Sequence, residues 1–216
     1  MGTEPIPAQR ADSEEPARRG RPRSEQADRA ILRAAAELLA ERGLSGLSIE
    51  EVAARAGVGK ATIYRRWPSR GALALEAFRA EFREQMPLPD TGNLHDDLLG
   101  ALRTWVRAVT RTRAGRMLAG LLAEAQHDPD LARDWREHVI GPLRTQHAIL
   151  IQRAIDRGEI PADTDIDVAL DLMYGAAYHR LLHGHRPLTD TFTRRVVDVI
   201  VAGLTARKPE GHAGRG

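Results

Sequence analysis

The stretch LSIEEVAARAGVGKATIYRRWPSR, running from Leu47 to Arg70, decides how the chain is read. Its opening Ser48-Ile49-Glu50-Glu51 predicts a capping box, in which the Ser48 hydroxyl bonds the Glu51 backbone and the Glu51 carboxylate reaches back. Ile49, Val52, Ala53 and Ala56 then form the buried stripe of a two-turn helix. Gly57-Val58-Gly59 stops it, with Gly57 supplying a sharp turn. A second short helix starts at Lys60 and ends near Trp67, because Pro68 disfavours helical geometry in the residue before it. Ile63 and Trp67 lie four apart and can anchor this helix to a core, while Ala53 is small enough for the two helices to cross closely. The opposite face presents Lys60, Ala61, Thr62, Tyr64, Arg65 and Arg66. Two short helices joined at a glycine turn, the second small and basic on its outer face, have the anatomy of a helix-turn-helix. Small residues let such a helix approach base edges, and the basic groups reach phosphates. Ser48 stands at a helix N-terminus, where free backbone N–H groups can also bind a phosphate.

Outward from this stretch, a first helix is expected from a Ser24 N-cap, with Ile31, Leu32, Ala35, Leu38 and Leu39 on one face and Gly43 as its left-handed stop. Ser69 caps a helix carrying Leu73, Leu75, Phe78 and Phe82 to about Gln85. Residues 18–86 hold fourteen basic against nine acidic side chains, a surplus of +5, whereas residues 87–216 hold seventeen of each. The positive charge thus concentrates where a phosphate-binding module needs it. Residues 1–23 are polar and rich in charge and proline, which predicts a disordered basic arm. Its Arg18-Arg19-Gly20-Arg21-Pro22-Arg23 resembles the core of an AT-hook, whose extended backbone lays guanidinium groups into a minor groove. A solvated charge run is the equal alternative.

Beyond the breaker cluster Met86 to Gly92 every segment reads as helix, and no segment alternates as a strand would. Helical spacing is expected over Leu94–Arg111 and Ala114–Gln126, and over a long run from an Asp128 cap to Arg157, kinked at Gly141-Pro142. Two last helices are capped by Asp165 and Thr189. The expected domains are residues 24–86 for the helix-turn-helix unit and 87–206 for an all-helical second unit, with a tail at 207–216. The chain of 216 residues has no cysteine, which fits a reducing cytoplasm and removes thiolate chemistry. No apolar window is long enough for a membrane span, and no signal-peptide core is present.

Residues 24–70 resemble the N-terminal domain of the TetR family of repressors. The resemblance is carried by the Glu41-Arg42-Gly43 turn, the capped second helix, the pattern Gly57, Val58, Lys60, Thr62 and Tyr64, the aromatic Trp67 and the Ser69 cap. Gly59 and Arg66-Trp67 depart from the commoner serine and His-Phe of that pattern. The resemblance implies an all-α fold of about nine helices, with a three-helix helix-turn-helix domain followed by a ligand-binding and dimerisation domain. It implies contacts to double-stranded operator DNA from Ser48, Lys60, Ala61, Thr62, Tyr64, Arg65, Arg66 and Arg70. It also implies a homodimer formed through the last two helices on a palindromic operator, released by a small-molecule inducer. Residues Val168, Leu172, Tyr174, Ala176, Ala177, Val197, Ile200 and Val201 are candidates for the dimer seam. Candidate pocket liners are Trp105, Met117, Gln126 and Trp135, with His138, His147, Tyr174 and Tyr178.

His179 and His183 have the spacing of a metal pair, with His185 close behind, but no acidic or thiolate ligand accompanies them and no metal is expected. No cofactor motif, nucleophile elbow or phosphate loop is present, so an enzyme would have to hide its site in the C-terminal cavity. A ligand-independent architectural DNA-binding protein is the other alternative, disfavoured by the large neutral second unit.

Overall fold

Amphipathic helical spacing, interrupted by glycine and capped by short polar side chains, produces a bundle of helices in the computed structural model, which describes residues 21–83 and 88–206. Helix α1 spans Arg21–Arg42, α2 Ile49–Ala56, α3 Lys60–Tyr64 and α4 Arg70–Arg83. The second unit holds α5 (Leu94–Arg111), α6 (Ala114–Ala125), α7 (Pro129–Trp135), a π-helical turn (Arg136–Ile140), α8 (Gly141–Asp156), α9 (Ile166–His183) and α10 (Asp190–Thr205). Because α7, the π turn and α8 follow one another without a break, the described residues form nine continuous helical rods and no strand. The all-helical expectation holds.

Most caps fall where the sequence puts them. The backbone N–H groups of Ala72, Val168 and Phe192 donate to the side chains of Ser69, Asp165 and Thr189. Asp128 Oδ1 accepts from Asp130 and Leu131, with Pro129 opening the helix as its missing N–H allows. Asn93 caps α5 through the Asp96 N–H, a start signal the sequence reading passed over.

The first helix differs from expectation. It begins at Arg21, so Ser24 lies inside its first turn and Arg21 to Arg23 are helical where an extended arm was anticipated. Proline is tolerated at this end because the first turn has no use for its absent N–H. The remainder of the arm, Arg18 and Arg19 included, the 86/87 boundary and the 207–216 tail lie outside the described residues.

Where the sequence predicts a kink, the helix holds a π turn. Pro142 removes a donor and its ring crowds the carbonyl four residues back. The chain answers by widening one turn, so that the Gly141 N–H donates to the Arg136 carbonyl five residues earlier. A Cβ at Gly141 would stand 3.2 Å from that oxygen.

One core runs through both units. Ile31, Leu38, Ile63 and Phe78 continue into Leu98, Trp105, Met117 and Met173, all essentially without solvent contact. At the joint, α6 crosses the end of α1 so closely that a Cβ on Gly120 would lie 3.7 Å from the Gly43 Cα. Gly43 itself has φ +70°, the left-handed stop the sequence called for. Arg116 Nε donates to the Ala40 carbonyl at 3.2 Å, and Arg113 pairs with Glu81 of α4 at 3.0 Å.

Candidate functional site

The two helices of the Leu47–Arg70 stretch are joined by Gly57 at φ +67°, ψ 34°, a conformation that costs a side-chain-bearing residue about 1–2 kcal/mol. Its N–H and that of Val58 close the end of α2 on Ala54 and Ala53. On α3, Ile63 is fully buried and Trp67 is 5 % exposed. The indole N–H donates to Glu76 Oε2 at 2.8 Å, so the ring is buried without an orphaned donor. Hydrophobic anchorage on this side fixes what the other side shows. Lys60, Ala61, Tyr64 and Arg65 are exposed, with half of the Tyr64 surface open to solvent, and Thr62 is half-buried.

Arg66 is placed differently from its neighbours. It turns toward α1 and forms an ion pair with Asp28. The α-helix proper ends at Tyr64, and a tighter turn follows, in which the Arg66 N–H donates to the Ile63 carbonyl. That turn swings residue 66 off the outer face. Arg70, at the start of α4, is exposed and donates to the Ser45 carbonyl at 3.4 Å.

The capping box forms by half. The Glu51 N–H donates to Ser48 Oγ at 3.3 Å, but the Glu51 carboxylate goes to Arg42 and Arg55, each at 2.8 Å. Two guanidinium donors outcompete one amide N–H, and the contact with Arg55 first, then Arg42, holds this carboxyl below its ordinary range. Glu50 plays a part that sequence reasoning missed. Its Oε1 accepts from Lys60 Nζ at 2.8 Å and its Oε2 from the Ser48 hydroxyl at 3.2 Å. Lys60 beside it lowers the Glu50 pKa, and Glu50 raises that of Lys60. Glu50, Asp28 and Glu76 thus set the poses of Lys60, Arg66 and Trp67. Only the capping signal hinted at any of them.

The eight candidate pocket residues do not share one cavity. Tyr174 and Tyr178 line a cleft of about 270 Å³ between α8 and α9, along with Ile140, Leu143 and Arg144. Trp105 packs behind them, its ring centroid 5.1 Å from Tyr178 and 5.9 Å from Tyr174. His147 is buried against Tyr174, and its Nδ1 stands 2.8 Å from the Leu143 carbonyl; burial lowers its pKa. Burial pushes the Tyr178 phenol up to about 12 and the Tyr174 phenol higher still. The Tyr174 hydroxyl is buried and has no hydrogen-bond partner among the described residues. His138 lines a second cleft, of about 230 Å³, between α4 and α8. Trp135 lies behind it against Phe78, with ring centroids 5.3 Å apart. Met117 is fully buried, whereas Gln126 is exposed at the end of α6 and donates to the Leu122 carbonyl.

His179 and His183 have ring centroids 4.6 Å apart, with His185 5.0 Å from His179. Among the described residues no three His, Cys, Asp or Glu side chains are arranged to hold a metal ion. No described helix is long and apolar enough to cross a membrane.

These features meet matching relatives. Residues 31–77 match the family described as bacterial regulatory proteins, tetR family, and residues 88–200 match the tetracyclin repressor-like C-terminal domain. The HTH-type transcriptional regulator YdeS of Bacillus subtilis is 34 % identical over 189 residues, 88 % of this chain and 95 % of that protein. The DNA-binding transcriptional repressor TetR of Mycobacteroides abscessus is 34 % identical over 188 residues, covering 84 % and 95 %. Among solved structures, the TetR family regulator SCO0332 superposes with a TM-score of 0.72 at 38 % identity, over 82 % of this chain and 98 % of that one. A helix-turn-helix held outward by Ile63 and Trp67, followed by a helical second unit, accordingly belongs to a DNA-binding transcriptional regulator, and this chain is a member of the TetR family.

Proposed function

We propose that this protein is a ligand-responsive transcriptional repressor that binds a palindromic operator as a homodimer and releases it when a small-molecule inducer enters the second unit. The observation that carries the proposal is the outward face of α3. Lys60, Ala61, Tyr64 and Arg65 stand exposed on a helix whose inner face is fixed by Ile63 and Trp67. Lys60, Tyr64 and Arg70, with the α2 N-terminus at Ser48, supply phosphate contacts; Ala61, Thr62 and Arg65 meet base edges. Arg66, held by Asp28, reaches DNA only if that pair opens. The repressor reading is supported by the name of the Mycobacteroides abscessus relative. A regulator of this kind works in the cytoplasm, where the DNA lies.

The dimer follows from two arguments. One short helix makes few base contacts, so two copies about 34 Å apart are needed, one per successive major groove. Second, α9 leaves Val168, Leu172 and Leu182 each more than half exposed, and α10 leaves Val199 at 73 %. Gly175 and Gly203 have nothing within 4 Å of a Cβ position, so a partner helix can approach closely there. Ala177, Val197 and Ile200, expected in the seam, are instead buried within the protomer, because α9 turns an apolar face toward α8 and α10 turns one toward α5. Release is a population shift: the inducer favours a conformer whose two α3 helices no longer match successive grooves.

Electrophoretic shift of the DNA upstream of the protein's own gene tests the proposal. Binding is expected at about 10 nM or tighter with log affinity falling steeply against log salt, and far weaker binding to unrelated DNA. Equal affinity for random DNA would overturn it in favour of an architectural role.

A further inference from the structure

The cleft between α4 and α8 carries a specific chemical signature. Its walls are largely apolar, with Phe78 and Phe82 from α4 facing Val139, Pro142 and Leu143 across a volume of about 230 Å³ and Gln146 the polar residue beside them. At its edge stand Arg79 and His138. Arg79 is half-buried, yet among the described residues it makes no ion pair and no hydrogen bond. Other partly buried arginines of the molecule are matched. Arg103 pairs with Asp190, Arg113 with Glu81, and Arg144 with Asp167 and Asp171. A guanidinium at the edge of aromatic walls, with no carboxylate supplied by the fold, can hold an anion that enters the cleft.

The size and charge of the site narrow that anion. At about 230 Å³ the cleft lies below the 300–1,000 Å³ of drug-sized sites and is open on one side, so the part of an occupant held between its walls is small. One guanidinium matches one negative charge in a flat, two-oxygen head, as a carboxylate offers. A phosphate dianion would leave a second charge against Phe78 and Leu143. We infer that this cleft binds a small carboxylic acid with an aromatic or aliphatic body, whose carboxylate is held by Arg79 and whose body lies between Phe82 and Pro142. That this acid is the inducer rests on the ligand-responsive reading above. The placement suits it, since α4 carries Phe78 and Phe82 at one end and Arg70 of the DNA-binding face at the other.

The test titrates the full-length protein with 2-naphthoate and octanoate, each against its own neutral amide, by calorimetry and thermal shift. At least one acid is expected to bind at least tenfold more tightly than its amide and to raise the melting temperature. Arg79→Gln should bring the affinity for the acid down to about that for its amide, and Val139→Phe, which fills the cleft, should abolish binding of both. Acids no better than their amides, or an acid preference that survives Arg79→Gln, would overturn the inference. A DNA shift run alongside separates the two claims. Arg79-dependent binding that leaves the DNA complex intact sinks the inducer role but keeps the site. Release of DNA by other metabolites, with no acid preference, sinks the acid site but keeps the ligand-responsive reading.

Discussion

At the scale of the residue, two cations proposed to meet DNA are already paired within the protein. Lys60 is engaged by Glu50 at 2.8 Å and Arg66 by Asp28. Each pair must open, or be shared, for its cation to meet a phosphate. If Lys60 meets phosphate as proposed, Glu50 is an internal competitor for that contact, and its own negative charge repels the DNA backbone at short range. Glu50→Gln should remove both effects. Affinity for the operator is expected to rise about two- to fivefold at low salt, with a slightly steeper loss as salt increases, because one more phosphate is neutralised by protein. Fluorescence anisotropy across a salt series measures this. Unchanged affinity together with an unchanged salt slope would show that Lys60 does not reach DNA. Stability should barely move, since the pair is exposed on both sides.

At the scale of the element, the two halves of the chain were unequally legible. The DNA-binding half announces itself through local chemistry: Ser48, Gly57, Pro68 and Ser69 each dictate the conformation of their own few residues, and the helices follow. The clefts of the second unit are built from residues distant in sequence. Nothing local says that Arg79 and His138 line one cleft, or that Trp105 sits behind Tyr178. The last two helices show the same limit. Helix α9 is apolar on nearly every side, so periodicity could not choose between the face that packs on the protomer, with Ala177 and Met173, and the face left open, with Val168 and Leu172. The open face makes a prediction that belongs to these helices. Leu172→Glu places a charge in the middle of the proposed seam without entering the protomer core, since Leu172 is 57 % exposed. Sedimentation should then show a monomer where the unaltered protein sediments as the proposed dimer, with melting of the single chain nearly unchanged. Persistence of the dimer would move the seam elsewhere.

At the scale of the whole molecule, two histidines tie stability to pH in opposite directions. His95 clasps α5 to α10: its Nε2 lies 2.9 Å from Asp198 and its Nδ1 3.2 Å from Asp96. Asp198, then Asp96, raise its pKa above the ordinary 6.5. The folded state holds this proton more tightly than the unfolded chain, so the clasp contributes fully below about pH 6.5 and is lost as pH rises through the raised value. His147 is the converse. Buried among Leu143 and Tyr174, it has a lowered pKa and stays neutral when folded. The unfolded chain takes up a proton there first, so the stability due to His147 is present above about pH 6.5 and is lost as pH falls through the lowered value. The melting temperature of the whole protein should therefore contain two opposed terms that separate by substitution. His95→Gln should lower it below about pH 6.5 and lose its effect toward pH 8, because the unaltered protein has by then given up the clasp as well. Thermal melts of both proteins from pH 5.5 to 8.5 measure the gap between the two curves. A gap that is constant with pH would mean that His95 is held by packing and not by the charges of Asp198 and Asp96.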